Sequence, residues 1–197
     1  FFIATGVSAL VENALVMNGL PLGSLVAGCL VVMGLVFGMV GDITLDFKIY
    51  FKGLIGQYEK AERDSDAMMY FGMFSFALGH IMYITSVAIR LPQEHMLSLL
   101  WTALISAGIV AVVFIVTILA MKMRYGKFLI PCICYAFLLC WFILFSGWTR
   151  PLMGATTGGM ILFIGSILFV ISDLILSMTY FSKEEDYKKE GLLNPES

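Results

Sequence analysis

The feature that most constrains the fold of this chain is a series of six apolar stretches, each close to the length of a membrane-spanning helix. The hydrocarbon core of a bilayer is about 30 Å thick and needs roughly 20 apolar residues in helical conformation. The stretches cover residues 1–17, 20–40, 67–89, 96–121, 128–146 and 152–181. They predict an all-α fold, a polytopic membrane helix bundle of about six transmembrane helices within residues 1–181, followed by a polar C-terminal tail at 182–197.

Composition supports a membrane environment rather than an aqueous one. Hydrophobic residues make up 60% of the chain and charged residues only 13%, whereas soluble domains carry about 25% charged residues. These charges are too few to cover a surface in water, so we expect the lipid bilayer to surround the chain. The net charge of −2 and the lack of a large basic patch exclude nucleic acid as a partner.

The chain carries no sequence signal for secretion or for metal binding. No basic segment precedes the first apolar stretch and no small-residue cleavage site follows it, so we predict no signal peptide. The four cysteines lie in apolar stretches without a CxxC pair, and no histidine cluster accompanies them. We therefore predict buried cysteines, no metal and no cofactor.

The positive charges alternate between the two sides of the predicted bundle. Ten of the 12 lysines and arginines fall between the second and third stretches, between the fourth and fifth, or after the sixth. The other two, Arg90 and Arg150, fall in segments on the opposite side. Because short loops rich in lysine and arginine stay in the cytoplasm, we predict a multi-pass integral membrane protein with both termini cytoplasmic.

The segment at 44–66 differs from the six stretches. It mixes large apolar side chains such as Phe47 and Tyr50 with charged ones such as Asp46 and Lys48. Helices with one apolar and one charged face lie in the plane of the membrane interface. We therefore predict a cytoplasmic interfacial loop or helix in this segment.

Glycines repeat at a spacing of four in two of the stretches. Gly34 and Gly38 share one helix face, as do Gly154 and Gly158. Small residues at this spacing let neighbouring membrane helices approach closely, so we expect helix packing at both pairs.

Four ionisable residues lie inside the apolar stretches or at their edges: Glu12, Asp42, His80 and Asp173. Placing such a group in lipid costs about 2.5–3.5 kcal/mol on insertion scales, so each needs a structural or a functional reason. Asp173, with apolar residues on both sides, favours function, and a helix–helix hydrogen bond is the alternative. Asp42 fits a helix cap near water as well as it fits a functional role. A structural hydrogen bond is the alternative for His80. We expect Glu12 to pair with a polar group across the bundle.

Residues beside these positions extend them into candidate sites. Tyr83 lies three residues after His80, so the phenol and the imidazole share a helix face. Gly79, next to His80, leaves room for another backbone or for a ligand. Ser172 is a local hydrogen-bond partner for Asp173.

The order of these residues matches a known pattern. Residues 41–45 are similar to a G-D-x-x-L element, residues 72–83 to a G-x-x-x-F-x-x-x-H-x-x-Y helix, and residues 165–173 to a G-A-x-x-F-x-x-S-D helix. Pro131 and Tyr135 match a P-x-x-x-Y element between them. Together, and in this order, the segments resemble the YhhN-type lysoplasmalogenases, multispanning membrane enzymes that cleave the vinyl-ether bond of lysoplasmalogens.

The chain also departs from that family. The family usually has more spans than the six predicted here, and it continues after the S-D helix to a Tyr-Tyr-x-x-Gln motif that this sequence lacks. The family's Lys-Pro-Leu element is represented by Leu20-Pro21-Leu22, without the lysine.

The resemblance implies a hydrolase that acts on a lysophospholipid. A vinyl ether hydrolyses when its carbon–carbon double bond is protonated and water adds to the oxocarbenium ion, which yields a fatty aldehyde and a glycerophospho-base. The slow step needs a general acid that is protonated near neutral pH, and a low-dielectric cleft keeps a carboxyl group protonated. We predict Asp173 and Asp42 as catalytic acid and base, and His80 as a part of the proton relay or, in its neutral form, a stabiliser of the positive charge. The predicted substrate-binding residues are Tyr83, Ser172, Tyr135 and Gly79.

Two other functions fit the same residues. A small transporter or proton-coupled carrier uses buried acids as a relay, and discontinuous helices with an inverted repeat would favour it. A nonenzymatic lipid-binding membrane protein would need no polar cavity around Asp173. Substrate flux across sealed vesicles without bond cleavage distinguishes the carrier from the hydrolase.

Overall fold

The computed structural model describes residues 22–123, 125–153 and 157–181, and within these ranges it contains helices and no strand. Each of the five long helices is long and apolar enough to cross a membrane. The all-α prediction is therefore confirmed, and the chain is a multi-pass integral membrane protein. The helices are α1 (Leu22–Gly53), α2 (Ala61–Ala88), α3 (Leu97–Leu119), α4 (Leu129–Thr149) and α5 (Thr157–Phe181), with short 3-10 turns at Gln93–His95, Gly126–Phe128 and Pro151–Met153.

Helices α1 to α5 correspond in order to the second to sixth predicted spans. The first predicted span at 1–17, which contains Glu12, lies outside the described residues, and so does the tail predicted at 182–197. The structure therefore confirms five of the spans, and the remaining one stays a prediction.

The structure describes all of the segment at 44–66, for which the sequence predicts an interfacial loop or helix. Helix α1 continues without a break to Gly53, and α2 begins at Ala61, so the segment consists of the end of α1, a turn and the start of α2, and its position at the membrane interface stays a prediction. Contacts with α2 stabilise the part of α1 that contains the charged residues. Leu45 is buried against α2, and Ser65 Oγ donates a hydrogen bond to the Lys48 carbonyl oxygen at 3.2 Å. The cytoplasmic location of this segment stays a prediction.

Helices α1 and α2 form an antiparallel hairpin whose backbones approach closely at glycines. A Cβ atom on Gly79 would lie 3.0 Å from the carbonyl oxygen of Gly34, and one on Gly34 would overlap the Tyr83 ring. A Cβ atom on Gly41 would lie 2.7 Å from the Phe76 ring. Real Cβ atoms essentially never approach other atoms as closely as those on Gly34 and Gly41 would, and the contact at Gly79 would be unusually tight, so a larger residue at these positions requires its neighbour to move.

The glycine spacing predicted from the sequence is only half correct. Gly34 packs in the hairpin as expected, whereas Gly38 and Gly158 face open space among the described residues, and Gly154 lies outside them. The close approach recurs instead at a spacing of seven, at Gly34 and Gly41. Seven residues are almost two full helical turns, so both glycines lie on the face that meets α2.

Serines on α2 add hydrogen bonds across the hairpin. Ser86 Oγ donates to the carbonyl oxygen of Ala27 at 2.9 Å, and Ser75 Oγ donates to that of Phe37 at 2.7 Å. Hydrogen bonds between membrane helices contribute about 0.6 kcal/mol on average. The two bonds, about three helical turns apart on α2, therefore fix the register of the hairpin.

Helix α4 is the central helix of the described bundle, because it packs against α2, α3 and α5. Trp141 Nε1 on α4 donates to the Leu99 carbonyl oxygen at 3.1 Å and to Thr102 Oγ1 at 3.2 Å, which fastens α3. Phe145 on α4 is fully buried in an apolar cluster with residues of α2. Packing against α4 therefore positions both the α1–α2 hairpin and α5.

One end of the bundle carries most of the described positive charges. The turn between α1 and α2 lies at this end, and so does the connection between α3 and α4, where Lys127 forms an ion pair with Asp66 at the start of α2. We call it the basic end. Its basic residues are Lys48, Lys52, Lys60, Arg63, Lys122 and Lys127.

Candidate functional site

A cavity of about 330 Å³ lies between the helices toward the basic end. All five described helices contribute to its wall, and the wall is mainly apolar, with Leu45 from α1 and Phe76 from α2 among its members. Asp173 on α5 is the only charged side chain among the described residues that line it. The cavity therefore combines space for a hydrocarbon chain with one carboxyl group.

Asp173 is half-buried, and its nearest polar neighbour across the cavity wall is Tyr135 on α4, with which it interacts electrostatically. The Tyr135 hydroxyl is buried and meets the geometry of a hydrogen bond with none of the described residues. It interacts with the Asp173 carboxyl group as a side-chain hydrogen-bond partner, although the contact falls outside ideal hydrogen-bond geometry. A buried hydroxyl in this state can hydrogen-bond to a polar atom of a molecule that enters the cavity.

Asp42 approaches the same place from α1. It is exposed and does not line the cavity among the described residues, but it interacts electrostatically with both Asp173 and Tyr135. The preceding Gly41 lets α1 lie directly on the Phe76 ring, which brings Asp42 toward α4 and α5. The structure therefore brings the two predicted acids into one neighbourhood, although they come from opposite ends of the described chain.

His80 lies deeper in the bundle and outside the cavity wall, and it is only 3% exposed. Its Nδ1 is 2.7 Å from the carbonyl oxygen of Phe76. Because a carbonyl oxygen only accepts, Nδ1 carries the hydrogen and Nε2 is the acceptor nitrogen. The imidazole lies among aromatic rings at centroid distances of 5.1 to 5.9 Å, those of Tyr83, Tyr135, Phe142 and Phe169.

Tyr135 connects the histidine to the acid, because its ring contacts His80 and its hydroxyl lies near Asp173. The structure thus joins the three predicted catalytic residues through a tyrosine, and not by direct contact of His80 with either acid. The catalytic roles themselves stay predictions.

The other predicted substrate-binding residues lie away from the cavity wall. The backbone of α1 occupies the space beside Gly79. Of the two occupants that the sequence allowed there, a neighbouring backbone or a ligand, the structure shows the backbone. Tyr83 is half-buried and stacks on Phe142 at 5.3 Å. Ser172 is exposed and does not line the cavity that its neighbour Asp173 lines. Substrate contact by these three residues therefore stays a prediction.

Three hydroxyl-bearing residues of the cavity wall, Ser177, Thr117 and Tyr125, escaped the sequence analysis. Ser177 lies four residues after Asp173 and so on the same face of α5. That spacing was the available signal for it. Thr117 on α3 also lines the cavity, and no local pattern in α3 distinguishes it from other hydroxyls in apolar helices. The predicted absence of metal and cofactor stays a prediction.

Fold and site together define a class: a multi-pass helical membrane protein with two acids and a tyrosine converging beside an apolar cavity. The model of the YhhN family matches residues 4–191, and the chain belongs to the YhhN family. No curated protein and no solved structure matches the chain.

Proposed function

We propose that the protein is a membrane-embedded hydrolase that cleaves the vinyl-ether bond of lysoplasmalogen to a fatty aldehyde and a glycerophospho-base. The observation that carries the proposal is the carboxyl group of Asp173 beside the buried hydroxyl of Tyr135, in the wall of an otherwise apolar cavity. Membership of the YhhN family supports it. An apolar wall suits the alkenyl chain, and the acid lies where the polar end of that chain would end.

In the proposed reaction Asp173 donates its proton to the second carbon of the alkenyl chain. The double bond becomes a single bond, and the first carbon and the ether oxygen share the positive charge of an oxocarbenium ion. Water adds to the first carbon and gives up a proton, which Asp42 accepts because it is the second carboxylate in this neighbourhood. As the carbon–oxygen bond of the resulting hemiacetal to glycerol breaks, the Asp173 carboxylate takes the hydroxyl proton and Asp42 gives its proton to the glycerol oxygen, which releases the aldehyde and restores both acids.

Tyr135 and His80 have supporting roles in this proposal. The Tyr135 hydroxyl orients the ether oxygen or the attacking water next to Asp173, because it has no other partner among the described residues. His80 acts as a positioning residue through its ring contact with Tyr135 at 5.9 Å. Two carboxylates that flank a reacting carbon–oxygen bond also serve the glycoside hydrolases, which pass through an oxocarbenium-like state.

The proposal is tested with the purified protein in detergent, given alkenyl lysophosphatidylethanolamine, with the acyl analogue as the control substrate. Fatty aldehyde is expected from the alkenyl lipid alone. Asp173→Asn, which removes the proton donor, is expected to lower kcat by at least about 100-fold, the lower end of the contribution of a general acid. Glu94→Gln is the matched control, because Glu94 is highly exposed and lies outside the site.

Three results would contradict the proposal. Equal rates in Asp173→Asn and the wild type would remove Asp173 from the reaction. Fatty acid release from the acyl lipid would mean that the enzyme cleaves an ester bond and not the vinyl-ether bond. Flux of the lipid into sealed vesicles with no aldehyde formed would favour the carrier.

A further inference from the structure

A group of charged residues lies at the basic end, close to the cavity but unused by the proposed reaction. Lys127 forms an ion pair with Asp66 at the start of α2. Lys48, half-buried on α1, also interacts with Asp66. Lys52 lies near Lys48, and Glu62 lies near Lys127. Three lysines therefore face two carboxylates, which leaves the group with one net positive charge.

This group adjoins the wall of the cavity. Lys48 lies three residues after Leu45, which lines the cavity, so the two are separated by about 4.5 Å along the axis of α1. Cys132, another lining residue, interacts electrostatically with both Lys48 and Asp173. Lys48 and the proposed general acid therefore both lie near Cys132.

We propose that Lys48 and Lys127 bind the phosphate of the lysophospholipid and so hold the glycerol backbone beside Asp173. The inference rests on the proposed function for the position of the reacting bond. In a lysoplasmalogen only the glycerol backbone separates the phosphate from the vinyl ether. An anchor for the phosphate one helical turn beyond the cavity wall therefore fixes the reacting carbons near the acid while the chain fills the apolar cavity.

The charges select a phosphate over a neutral headgroup. A lysine binds phosphate as a point charge. Lys48 and Lys127 both interact with Asp66, so a lipid phosphate can bind between them as a second anion while their interactions with Asp66 are largely kept. The rival explanation is that the ion pair between Lys127 and Asp66 only ties the start of α2 to the connection before α4. That structural role predicts the same effect of a substitution on every substrate.

The test compares two substrates that share the alkenyl chain and the glycerol and differ in the phosphate headgroup, alkenyl lysophosphatidylethanolamine and alkenylglycerol. In Lys48→Gln and in Lys127→Gln, KM for the phosphate-bearing lipid is expected to rise about 10-fold, the loss of a charge-assisted contact, with kcat unchanged. KM for alkenylglycerol is expected to stay the same. Lys48→Arg keeps the charge and is expected to keep the wild-type KM.

Lys60→Gln is the matched control, because Lys60 is exposed in the turn between α1 and α2 and carries the same charge. If Lys48→Gln does not fold, Lys127→Gln carries the test, since Lys127 is on the surface. Equal changes in KM for both substrates, or no change for either, would overturn the inference.

Binding separates this inference from the proposed hydrolysis. The non-hydrolysable 1-O-alkyl lysophosphatidylethanolamine is titrated against the protein and followed by tryptophan fluorescence, with alkylglycerol in parallel. Weaker binding of the phosphate lipid alone to Lys48→Gln supports the phosphate site even if the wild type releases no aldehyde. Inorganic phosphate alone is expected to leave the fluorescence unchanged, and a change equal to that from the lipid would assign the site to free phosphate instead.

Discussion

Replacing Tyr135 by phenylalanine separates the function of its hydroxyl from the packing of its ring. The ring contacts with His80 at 5.9 Å and with Phe76 at 6.1 Å stay in place. The Tyr135 hydroxyl is buried and meets ideal hydrogen-bond geometry with none of the described residues, although it interacts with Asp173, so the cost of burying it offsets what that imperfect contact contributes. We therefore expect the free energy of unfolding to stay the same or to rise by about 1 kcal/mol.

The same substitution is expected to lower activity. If the hydroxyl holds the ether oxygen or the water in the transition state, its loss removes a contact of about 1.4–2.8 kcal/mol, which is about 10- to 100-fold in kcat/KM. Unfolding of the purified protein in mixed micelles gives the stability, and aldehyde release gives the rate. Tyr58→Phe is the control, because the Tyr58 hydroxyl donates to Asp64 on the surface; we expect it to leave kcat/KM unchanged.

Two results would refute this reasoning about Tyr135. A loss of about 1.5–3 kcal/mol in stability would mean that the hydroxyl is bound to a charged partner, as a firm hydrogen bond to Asp173 would require. An unchanged kcat/KM would mean that the hydroxyl does not touch the reacting atoms. A tyrosine with a purely structural role would give a less stable variant, and one with no role would give unchanged activity. A variant that is more stable and less active therefore supports a functional hydroxyl.

Two further predictions concern the hairpin. Gly34→Ala is expected to destabilise the protein by about 1–3 kcal/mol, because the new Cβ overlaps the Tyr83 ring. Gly38→Ala, with open space at that position, is expected to be neutral or stabilising by up to about 1 kcal/mol. Thermal unfolding of both variants measures the difference, and equal effects would contradict the prediction. Ser86→Ala removes the hydrogen bond to Ala27 and is expected to cost about 0.6 kcal/mol with unchanged activity, measured in the same unfolding and aldehyde assays.

The sequence predicted the helices well because hydrophobic length is a local property of the chain. The predicted span ends at residue 40, shortly before Asp42 and Lys48 interrupt the apolar pattern, while the helix itself continues to Gly53. The contacts that carry the helix onward come from α2, and a local pattern does not contain them. For the same reason the spacing of Gly34 and Gly38 did not show which of the two glycines meets the neighbouring helix.

The candidate site divides in a similar way. Asp42, His80 and Asp173 stood out because ionisable residues are rare in apolar helices. Their convergence depends on packing between helices far apart in sequence, which periodicity does not report. Tyr135 drew attention only through the family pattern, yet it is the residue that contacts both His80 and the neighbourhood of Asp173.

Phe76 explains how two acids from distant helices reach one place. Its ring lies against Gly41, directly before Asp42, and it contacts the Phe169 ring at 5.5 Å, four residues before Asp173. It also meets Tyr135 at 6.1 Å. One side chain on α2 thus spaces α1, α4 and α5, the three helices that carry the two acids and the tyrosine. Because the hairpin is fixed by its glycines and serines, the position of Phe76 is fixed as well, and the separation of the two acids follows from the packing of α4 and α5 against a single ring.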